Sequence, residues 1–449
     1  MTRTVTPLVE LEDRNPDGRG RGFLDGRAVL VSQGLPGERV EVLVDRETRG
    51  TLQGRVANLV DATERRIETA CSHTFVCTGC PMLGEDPASE AAFKEEAIAS
   101  TLASVDGGLR ERFEGVTRPS DLFGYRHYAK QVFERSLGKT VLGSYVAGTH
   151  EVVSNRDCPI LAPALALAMS AVESVVEEHD VAIASAEAAG LKHTVARLSQ
   201  ATGQILMTWV VTGELSDPQQ GAIERAAGAL IEETGTVVGV SLVVNESGGN
   251  VILRGKLSSL AGSSVVVESM CGYDHRVGPL SFFQINPVSA SALFACALKA
   301  AGEGGTCLEL FSGVGVLTLP LADKFERVVA VEVVEEAARS LELRLCDEGR
   351  EGVVSRCGDA ADVARDVLAS ESVDVIVADP PRRGLGEELC ELMGGSLVKR
   401  VVLLSCDATT LAKDLPHLME AGLRVTSVWG IDQFPRTAHV ETVTLLERV

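Results

Sequence analysis

Residues 306–323 read TCLELFSGVGVLTLPLAD, an apolar run followed by a glycine-containing turn and a second apolar run. This pattern predicts a buried strand that passes through a tight turn into a helix. Three later runs are continuously apolar, as strands buried on both faces of a parallel sheet are. They read RVVAVEV, VDVIVADPP and KRVVLLSC. We therefore predict an α/β domain with a doubly wound, Rossmann-like sheet over residues 281–449.

The end of the chain lacks this alternation of strand and helix. Its last two apolar runs, LRVTSVWGI and ETVTLLERV, have no helix between them, which predicts a terminal hairpin. Doubly wound sheets bind ligands at the carboxyl ends of their strands. Residues at those ends are therefore the first candidates for a functional site.

The first 65 residues predict a different architecture. Five short apolar runs are separated by turn residues such as Asn15-Pro16-Asp17-Gly18 and Pro36-Gly37. Short strands at this density predict a small closed barrel of the oligonucleotide-binding (OB) kind, although such a barrel would equally suit protein docking. Residues 66–280 mix strands and helices, which predicts a central α+β domain with a helix over 89–115.

The 449 residues carry a formal net charge of -21, which counts against a nucleic-acid partner because phosphate contacts dominate such binding. Residues 118–158 are an exception, with more basic than acidic side chains and three of the four tyrosines. Basic residues interleaved with aromatic ones suit phosphate contact and base stacking, but they also suit an amphipathic sheet with a charged outer face. The candidates for phosphate contact are Arg126, Lys130 and Arg135.

No apolar run reaches membrane-spanning length without Gly, Pro or charge, and the N-terminus has no apolar signal core. We therefore expect the eleven cysteines to be reduced thiols of a cytoplasmic protein. Cys71, Cys77 and Cys80 lie within ten positions, and Cys158 lies far downstream. This spacing suits an iron–sulfur cluster or zinc, and four unrelated thiols are the alternative.

The glycine turn is a candidate cofactor site. Gly313 and Gly315 would let the backbone approach a ligand at a helix N-terminus, and Glu332 at the end of the next strand could accept ribose hydroxyls. Position 318, where a dinucleotide fingerprint has a third glycine, is Thr318. The pattern therefore favours an adenosyl ligand without a pyrophosphate, S-adenosylmethionine, over a plain strand-turn-helix connection.

A second motif, Asp379-Pro380-Pro381-Arg382, lies at the end of the VDVIVADPP run. The proline pair turns the chain out of the sheet and directs Asp379 into the crevice. Arg382 could pair there with a phosphate or carboxylate. Related motifs occur in amino-group methyltransferases, so this one indicates a nucleotide-modifying site without fixing the modified atom.

Cys406 ends the KRVVLLSC run, and Glu441 stands at the start of the last run, ETVTLLERV. A lone thiol here could be a buried structural cysteine. Carbon 5 of uracil, however, is too weak a nucleophile to take a methyl group unaided. A thiolate must first add to carbon 6, and a base must then remove the proton from carbon 5. Cys406 and Glu441 could supply both groups, whereas amino-group methylation would not require the thiol.

Together these residues resemble the S-adenosylmethionine-dependent RNA uracil-5 methyltransferases, in particular their bacterial ribosomal-RNA branch with an N-terminal TRAM domain. GRGFL and GLPGERVEV are similar to the TRAM barrel, and SFFQIN at 281–286 is similar to the segment that enters the catalytic domain. The resemblance covers nearly the whole chain. It implies that Cys406 is the nucleophile and Glu441 the base, and that helical residues near 89–118 pack on the catalytic domain.

The resemblance also implies two ligand sets. The cofactor contacts would be Gln284, Phe311, Glu332 and Asp379, beside Gly313 and Gly315 of the turn. The ligands of a four-iron, four-sulfur cluster would be Cys71, Cys77, Cys80 and Cys158.

The chain departs from the family at a few positions. Asp407-Ala408 stands in place of Asn-Pro after the nucleophile, and a carboxylate there would raise the pKa of the thiol unless it points away. Leu404, Val316 and Arg436 replace a Tyr, an Asn and a His or Gln.

These features predict an enzyme that methylates carbon 5 of a uridine, in 23S ribosomal RNA by analogy with the family. Transfer RNA is the alternative target. A catalytically weak RNA-binding member and an amino-group methyltransferase are the alternative functions. We expect a monomer whose partner is RNA, without a membrane.

Overall fold

The computed structural model describes residues 5–77, 79–118, 121–146, 149–185, 187–245 and 251–448. Its N-terminal strands form a closed barrel in the order β1-β2-β3-β5-β4. These strands are β1 (Val5–Arg14), β2 (Gly20–Leu24), β3 (Arg27–Ser32), β4 (Arg39–Thr48) and β5 (Thr51–Asp61). Alternate apolar side chains such as Val29 and Val31 fill the interior, as the period of two of a strand requires. The predicted five-stranded barrel is confirmed.

The segment after the cysteine-rich loop contains a helix and a strand. Helix α1 (Pro87–Val105) begins at Asp86, whose carboxylate accepts the backbone N–H of Ala88 and Ser89. It packs on α9 (Ala408–Glu420). The prediction of a helix as far as residue 118 is wrong for its last part, because the Gly107–Arg112 3-10 turn breaks the α-helix.

Residues Phe113–Thr117 form strand β6 instead of that helix. This strand pairs in parallel with β21 (Leu423–Ile431) at the edge of the C-terminal sheet. Its partner is therefore distant in sequence.

The central region contains a seven-stranded sheet in the order β13-β12-β11-β10-β7-β8-β9. Its strands are β7 (Tyr128–Ser136), β8 (Lys139–Tyr145), β9 (Val152–Ser154), β10 (Gly190–Leu198), β11 (Ile205–Thr212), β12 (Val237–Val244) and β13 (Lys256–Gly262). Helices α2 (Pro163–Glu178) and α3 (Asp217–Thr234) cover one face. A hairpin of β14 (Val266–Met270) and β15 (Tyr273–Val277) leads to the C-terminal domain.

The C-terminal sheet has the order β18-β17-β16-β19-β20-β22-β21-β6. Its remaining strands are β16 (Gly304–Leu310), β17 (Phe325–Glu332), β18 (Val353–Cys357), β19 (Val375–Ala378), β20 (Arg400–Ser405) and β22 (Glu441–Arg448). Its remaining helices are α4 (Pro287–Ala301), α5 (Thr318–Ala322), α6 (Glu335–Asp347), α7 (Ala360–Ser370) and α8 (Glu387–Gly395). The doubly wound sheet with a terminal hairpin is confirmed. Its strand order reverses between β16 and β19, which opens a crevice at their carboxyl ends.

None of the helices in the described parts of the chain is long and apolar enough to cross a membrane.

Candidate active site

Cys406 and Glu441 lie at the same end of two neighbouring strands. Ser405 of β20 pairs with Thr442 of antiparallel β22, and the Thr442 hydroxyl donates a 3.2 Å hydrogen bond to the carbonyl of Ser405. One step further along each strand lie Cys406, which is half-buried, and Glu441, which is 7% exposed. The strand register therefore brings the predicted nucleophile and the predicted base together.

Burial and neighbouring charge set the protonation of this pair. Burial, together with the charge of Glu441, raises the pKa of the Cys406 thiol to about 11, against the opposing effect of Arg382. Burial and the charge of Asp379 raise the pKa of Glu441 to about 8, and Arg382 again opposes the shift. Burial raises the pKa of Asp379 to about 6. Without a ligand, the site therefore favours a neutral thiol and a neutral Glu441 at neutral pH.

The carboxylate of Asp407 is turned onto the helix that follows Cys406. It caps α9 by accepting the backbone N–H of Thr409 at 2.7 Å and the Thr409 hydroxyl at 2.6 Å. The pKa of Asp407 is lowered, because these hydrogen bonds outweigh the opposing effect of burial. Among the groups that raise the pKa of Cys406, Asp407 has the smallest effect. The departure from Asn-Pro at this position therefore leaves the thiol little perturbed by Asp407.

The glycine turn is held open by Glu332. One carboxylate oxygen of Glu332 accepts the N–H of Gly313 at 2.9 Å, and the other accepts the N–H of Val334 at 2.8 Å. Phe311, Gly313 and Gly315 all have positive φ, at 64°, 56° and 84°. A side chain at Gly313 would point into open space, which leaves room for a ligand.

The two glycines of the turn differ in what surrounds them. A Cβ at Gly315 would overlap the side chain of Leu341 on α6. Gly315 is therefore required because a side chain there would collide with Leu341. Gly313 is favoured by its positive φ, and a side chain there would occupy the space left for a ligand.

Glu309 is a site residue that the sequence reasoning missed. It lies on β16, only 3% exposed, and the hydroxyl of Thr318 donates a 2.5 Å hydrogen bond to it. Burial raises its pKa to about 8 against that hydrogen bond, and the charges of Asp379 and Glu332 add to the shift. Glu309, Glu332 and Asp379 therefore lie close enough at this end of the sheet to influence one another's charge. The sequence did contain a signal for Glu309, because an acidic residue inside the apolar run TCLELF is unusual.

Gln433 was also missed. Its side-chain amide donates a 2.6 Å hydrogen bond to Gln284, the predicted cofactor contact. Asn286, which caps α4, donates to the backbone carbonyl of Gln433 at 3.1 Å. Gln284 is thus attached to the segment that carries Glu441. Nothing local in the sequence links these positions.

The four cysteines line one cavity. Cys71, Cys77 and Cys80 reach it from the loop between the barrel and α1, and Cys158 reaches it from the segment between β9 and α2. Burial raises the pKa of Cys77 and Cys158, and it raises that of Cys80 to about 12. Among the described residues, no group of three or more Cys, His, Asp or Glu side chains is arranged as a ready set of ligands for one metal ion.

The three predicted phosphate contacts do not form one patch. Arg126 is half-buried beside the cysteines, and its Nε donates to the carbonyl of Tyr128 at 2.9 Å. Lys130 is exposed, with its Nζ 5.6 Å from the centre of the Tyr128 ring. Arg135 is exposed, but it is five positions from Lys130 on the same strand and so extends from the other face.

Comparison with known proteins identifies two parts of the chain. The family described as tRNA (Uracil-5-)-methyltransferase matches residues 361–449, and the TRAM domain matches residues 4–57. An uncharacterized RNA methyltransferase of Caldanaerobacter subterraneus is 28% identical over 446 residues, which cover 98% of each chain. One of Gloeobacter violaceus is 29% identical over 451 residues, which cover 99% of this chain and 97% of that one.

A solved structure has the same fold. The tRNA (uracil-54, C5)-methyltransferase of Pyrococcus abyssi, in complex with S-adenosyl-L-homocysteine, aligns with a TM-score of 0.74 and 22% identity. The alignment covers 99% of this chain and 100% of that one. The two chains therefore share one fold along nearly their whole length. The family and domain matches cover the N-terminal barrel and the last part of the C-terminal domain, which contains Cys406 and Glu441.

Proposed function

We propose that this enzyme methylates carbon 5 of a uridine in structured RNA through a covalent bond between Cys406 and carbon 6 of the base. The observation that carries the proposal is the register of β20 and β22, which pairs Ser405 with Thr442 and so brings Cys406 and Glu441 to the same end of the two strands. A nucleophile and a buried base at one strand edge suit uracil-5 chemistry. Amino-group transfer would leave the thiol without a role.

Each side chain has a defined task in this mechanism. The Cys406 thiolate adds to carbon 6, and the electron pair displaced from the C5–C6 bond makes carbon 5 nucleophilic. Bound S-adenosylmethionine supplies the methyl group and leaves as S-adenosylhomocysteine. Glu441 then removes the proton from carbon 5, and the electrons of that C–H bond re-form the C5–C6 double bond as Cys406 departs. Arg382 and the N-terminus of α9 favour the thiolate.

The cofactor would lie between the glycine turn and the strand ends of β17 and β19. Gly313 leaves open space, and Glu332 fixes the turn. Glu332, Asp379 and Gln284 are the polar contacts, with Phe311 at the turn itself. The carboxylate of Asp379, whose pKa of about 6 leaves it ionised at neutral pH, suits the positive sulfonium or ammonium group of S-adenosylmethionine.

We further propose that Cys71, Cys77, Cys80 and Cys158 hold a four-iron, four-sulfur cluster. Their common cavity and their four thiols suit such a group. Each cysteine of a four-iron cluster binds a different iron, so the sulfurs need not lie within reach of one ion. The cluster is expected to hold the loop together rather than to take part in methyl transfer.

We propose 23S ribosomal RNA as the substrate, because of the combination of a TRAM barrel with the four cysteines. Transfer RNA is the second candidate, favoured by the match of residues 361–449 to the family described as tRNA (Uracil-5-)-methyltransferase. Lys130, Arg126 and Arg135 are proposed phosphate contacts, of which Lys130 is exposed beside an aromatic ring. We expect a monomer that acts in the cytoplasm.

The test uses tritiated S-adenosylmethionine with unmodified transcripts of 23S ribosomal RNA and of transfer RNAs. Methylated uridine in one class of transcript identifies the substrate. Cys406→Ala is expected to abolish transfer and to keep binding of S-adenosylhomocysteine, whereas Cys346→Ala, at an exposed thiol on α6, is expected to behave as wild type. Turnover by Cys406→Ala would refute the mechanism. A transcript containing 5-fluorouridine should remain bound to the wild-type chain on a denaturing gel.

A further inference from the structure

Arg436 is among the largest fully buried side chains of the protein, with only 1% of its surface exposed. It lies in the segment between β21 and β22, which ends at Glu441, and its φ of 66° is rare for a residue with a side chain. A buried guanidinium in a strained backbone position persists only where its surroundings hold it firmly. The contacts of Arg436 therefore indicate what this segment is attached to.

On one side, Arg436 is held by helix α1. Its Nη1 donates to Glu90 at 2.6 Å, and its backbone N–H donates to the same carboxylate at 2.7 Å. Lys94, one turn further along α1, donates to Glu90 at 2.8 Å and to Asp432 at 2.8 Å. The buried chain Arg436–Glu90–Lys94–Asp432 thus fixes the segment at two points.

On the other side, Arg436 is attached to the loop that follows the cysteines. Its Nη2 donates to the carbonyls of Leu83 and Glu85, both at 3.0 Å, and its own carbonyl accepts the N–H of Met82 at 3.1 Å. Leu83 lines the cysteine cavity, and its N–H donates to the carbonyl of Cys80 at 3.1 Å. One side chain therefore joins the cysteine loop to the segment that carries the base.

We propose that Arg436 is a positioning residue that couples the cysteine site to the catalytic base Glu441. Tyr125 adds a parallel link, because its hydroxyl donates to the carbonyl of Pro435 at 2.9 Å. The proposal rests on the function proposed above for Glu441. Damage to the cysteine site would displace residues 82–86, and Arg436 would pass the displacement to the base segment. Methyl transfer would then depend on an intact cysteine site that touches no substrate.

Kinetics test the positioning role. In Arg436→Gln, kcat should fall roughly 10- to 100-fold, as a small misplacement of a reacting group can cause, while the KM for RNA stays within about twofold. Because the base acts after the thiol, this variant should also accumulate a covalent complex with unfluorinated RNA. Arg436→Lys keeps a cation beside Glu90 and should recover part of kcat. The control is Arg400→Gln, which removes an ion pair with Glu447 and a hydrogen bond to the carbonyl of Ala301 at the far end of β20.

Hydrogen–deuterium exchange tests the coupling without relying on activity. Arg436→Gln should speed exchange in both 80–86 and 432–441, and Cys80→Ser should speed exchange in 432–441 through Arg436. In the double variant, Cys80→Ser should add nothing in 432–441. Additive effects of the two substitutions on exchange in 432–441 would overturn the proposal. So would an Arg436→Gln variant whose exchange and kcat both equal those of the wild type. If the wild type methylates no RNA, the proposed function fails, yet the exchange data still decide the coupling.

Discussion

Thr318 donates a 2.5 Å hydrogen bond to Glu309, a carboxyl group with only 3% of its surface exposed. The first turn of α5 therefore holds an acidic side chain inside the apolar sheet, next to the glycine turn. The pKa of Glu309 is raised to about 8, chiefly by burial. The protonated form is thus stabilised in the folded protein.

This shift predicts how stability depends on pH. The folded pKa of Glu309 lies above its usual value of 4.5, so its contribution is complete below that value and is lost as pH rises through about 8. Between pH 6 and 9, the melting temperature of the ligand-free protein should fall, and it should fall less in Glu309→Gln. The exposed Glu303→Gln is the control. Equal slopes in all three proteins would contradict the assignment.

Replacing Gly313 by Ala should weaken cofactor binding. Its φ of 56° disfavours a side chain by about 1–2 kcal/mol, and the new methyl group would fill the open space in front of the turn. Gly349→Ala introduces similar strain, at φ 65° with open space, in a turn after α6. Calorimetry with S-adenosylhomocysteine should show weaker binding for Gly313→Ala only. Equal affinities of Gly313→Ala and Gly349→Ala for S-adenosylhomocysteine would place the cofactor elsewhere.

Glu441 should impose a pH dependence on release of the enzyme from RNA. As the base, it must be ionised, and its pKa of about 8 implies that release speeds up as pH rises through that value. Single-turnover measurements of a preformed covalent complex would follow this step alone. Glu441→Gln cannot accept the proton and should leave the complex trapped at every pH. Normal release by this variant would assign the base to another residue.

Asp407 should matter for helix stability more than for nucleophilicity. Removing its cap in Asp407→Ala should lower the free energy of unfolding by about 1 kcal/mol, whereas Asp407→Asn can still accept from Thr409. Both variants should keep the pH profile of Cys406 alkylation by iodoacetamide close to that of wild type. A large fall in the apparent thiol pKa in Asp407→Asn would show that Asp407, rather than burial, governs the nucleophile.

Anaerobic purification should yield a coloured protein with iron and sulfide. Cys80→Ser should lower both contents, because Cys80 lines the cavity with the other three thiols. Cys346→Ser, at an exposed thiol on α6, should leave them unchanged. Stoichiometric zinc in place of iron would refute the proposed cluster.

Local patterns were sufficient to predict much of the fold. Short apolar runs separated by turn residues predicted the barrel, and continuous apolar runs with glycine turns predicted the parallel strands, because both patterns are local to one segment. Strand β6 was missed, since the five residues from Phe113 to Thr117 carry too little pattern and pair with a partner distant in sequence. Pairing of this kind depends on the completed sheet.

The candidate site likewise contains residues that local sequence patterns could predict and residues that they could not. Cys406 and Glu441 could be proposed because each sits at the end of an apolar strand. Glu90 and Lys94 looked like ordinary charged residues, and Arg436 was noted only as a departure from the family. All three are buried in one network. Their burial arises from contacts between segments some 340 positions apart. Only the i,i+4 spacing of Glu90 and Lys94 was a local signal, and such pairs usually lie on helix surfaces.

The pairing of β6 with β21 has a consequence for synthesis of the chain. Thr117 leaves the ribosome long before Ile431, the residue it pairs with. At about 5–20 residues per second, the early strand waits on the order of 15–60 seconds for its partner. Through that interval Val116 and the apolar face of α1 lack their final cover, which makes the nascent chain a client for chaperones. Slower translation should lengthen this exposure and lower the yield of folded enzyme.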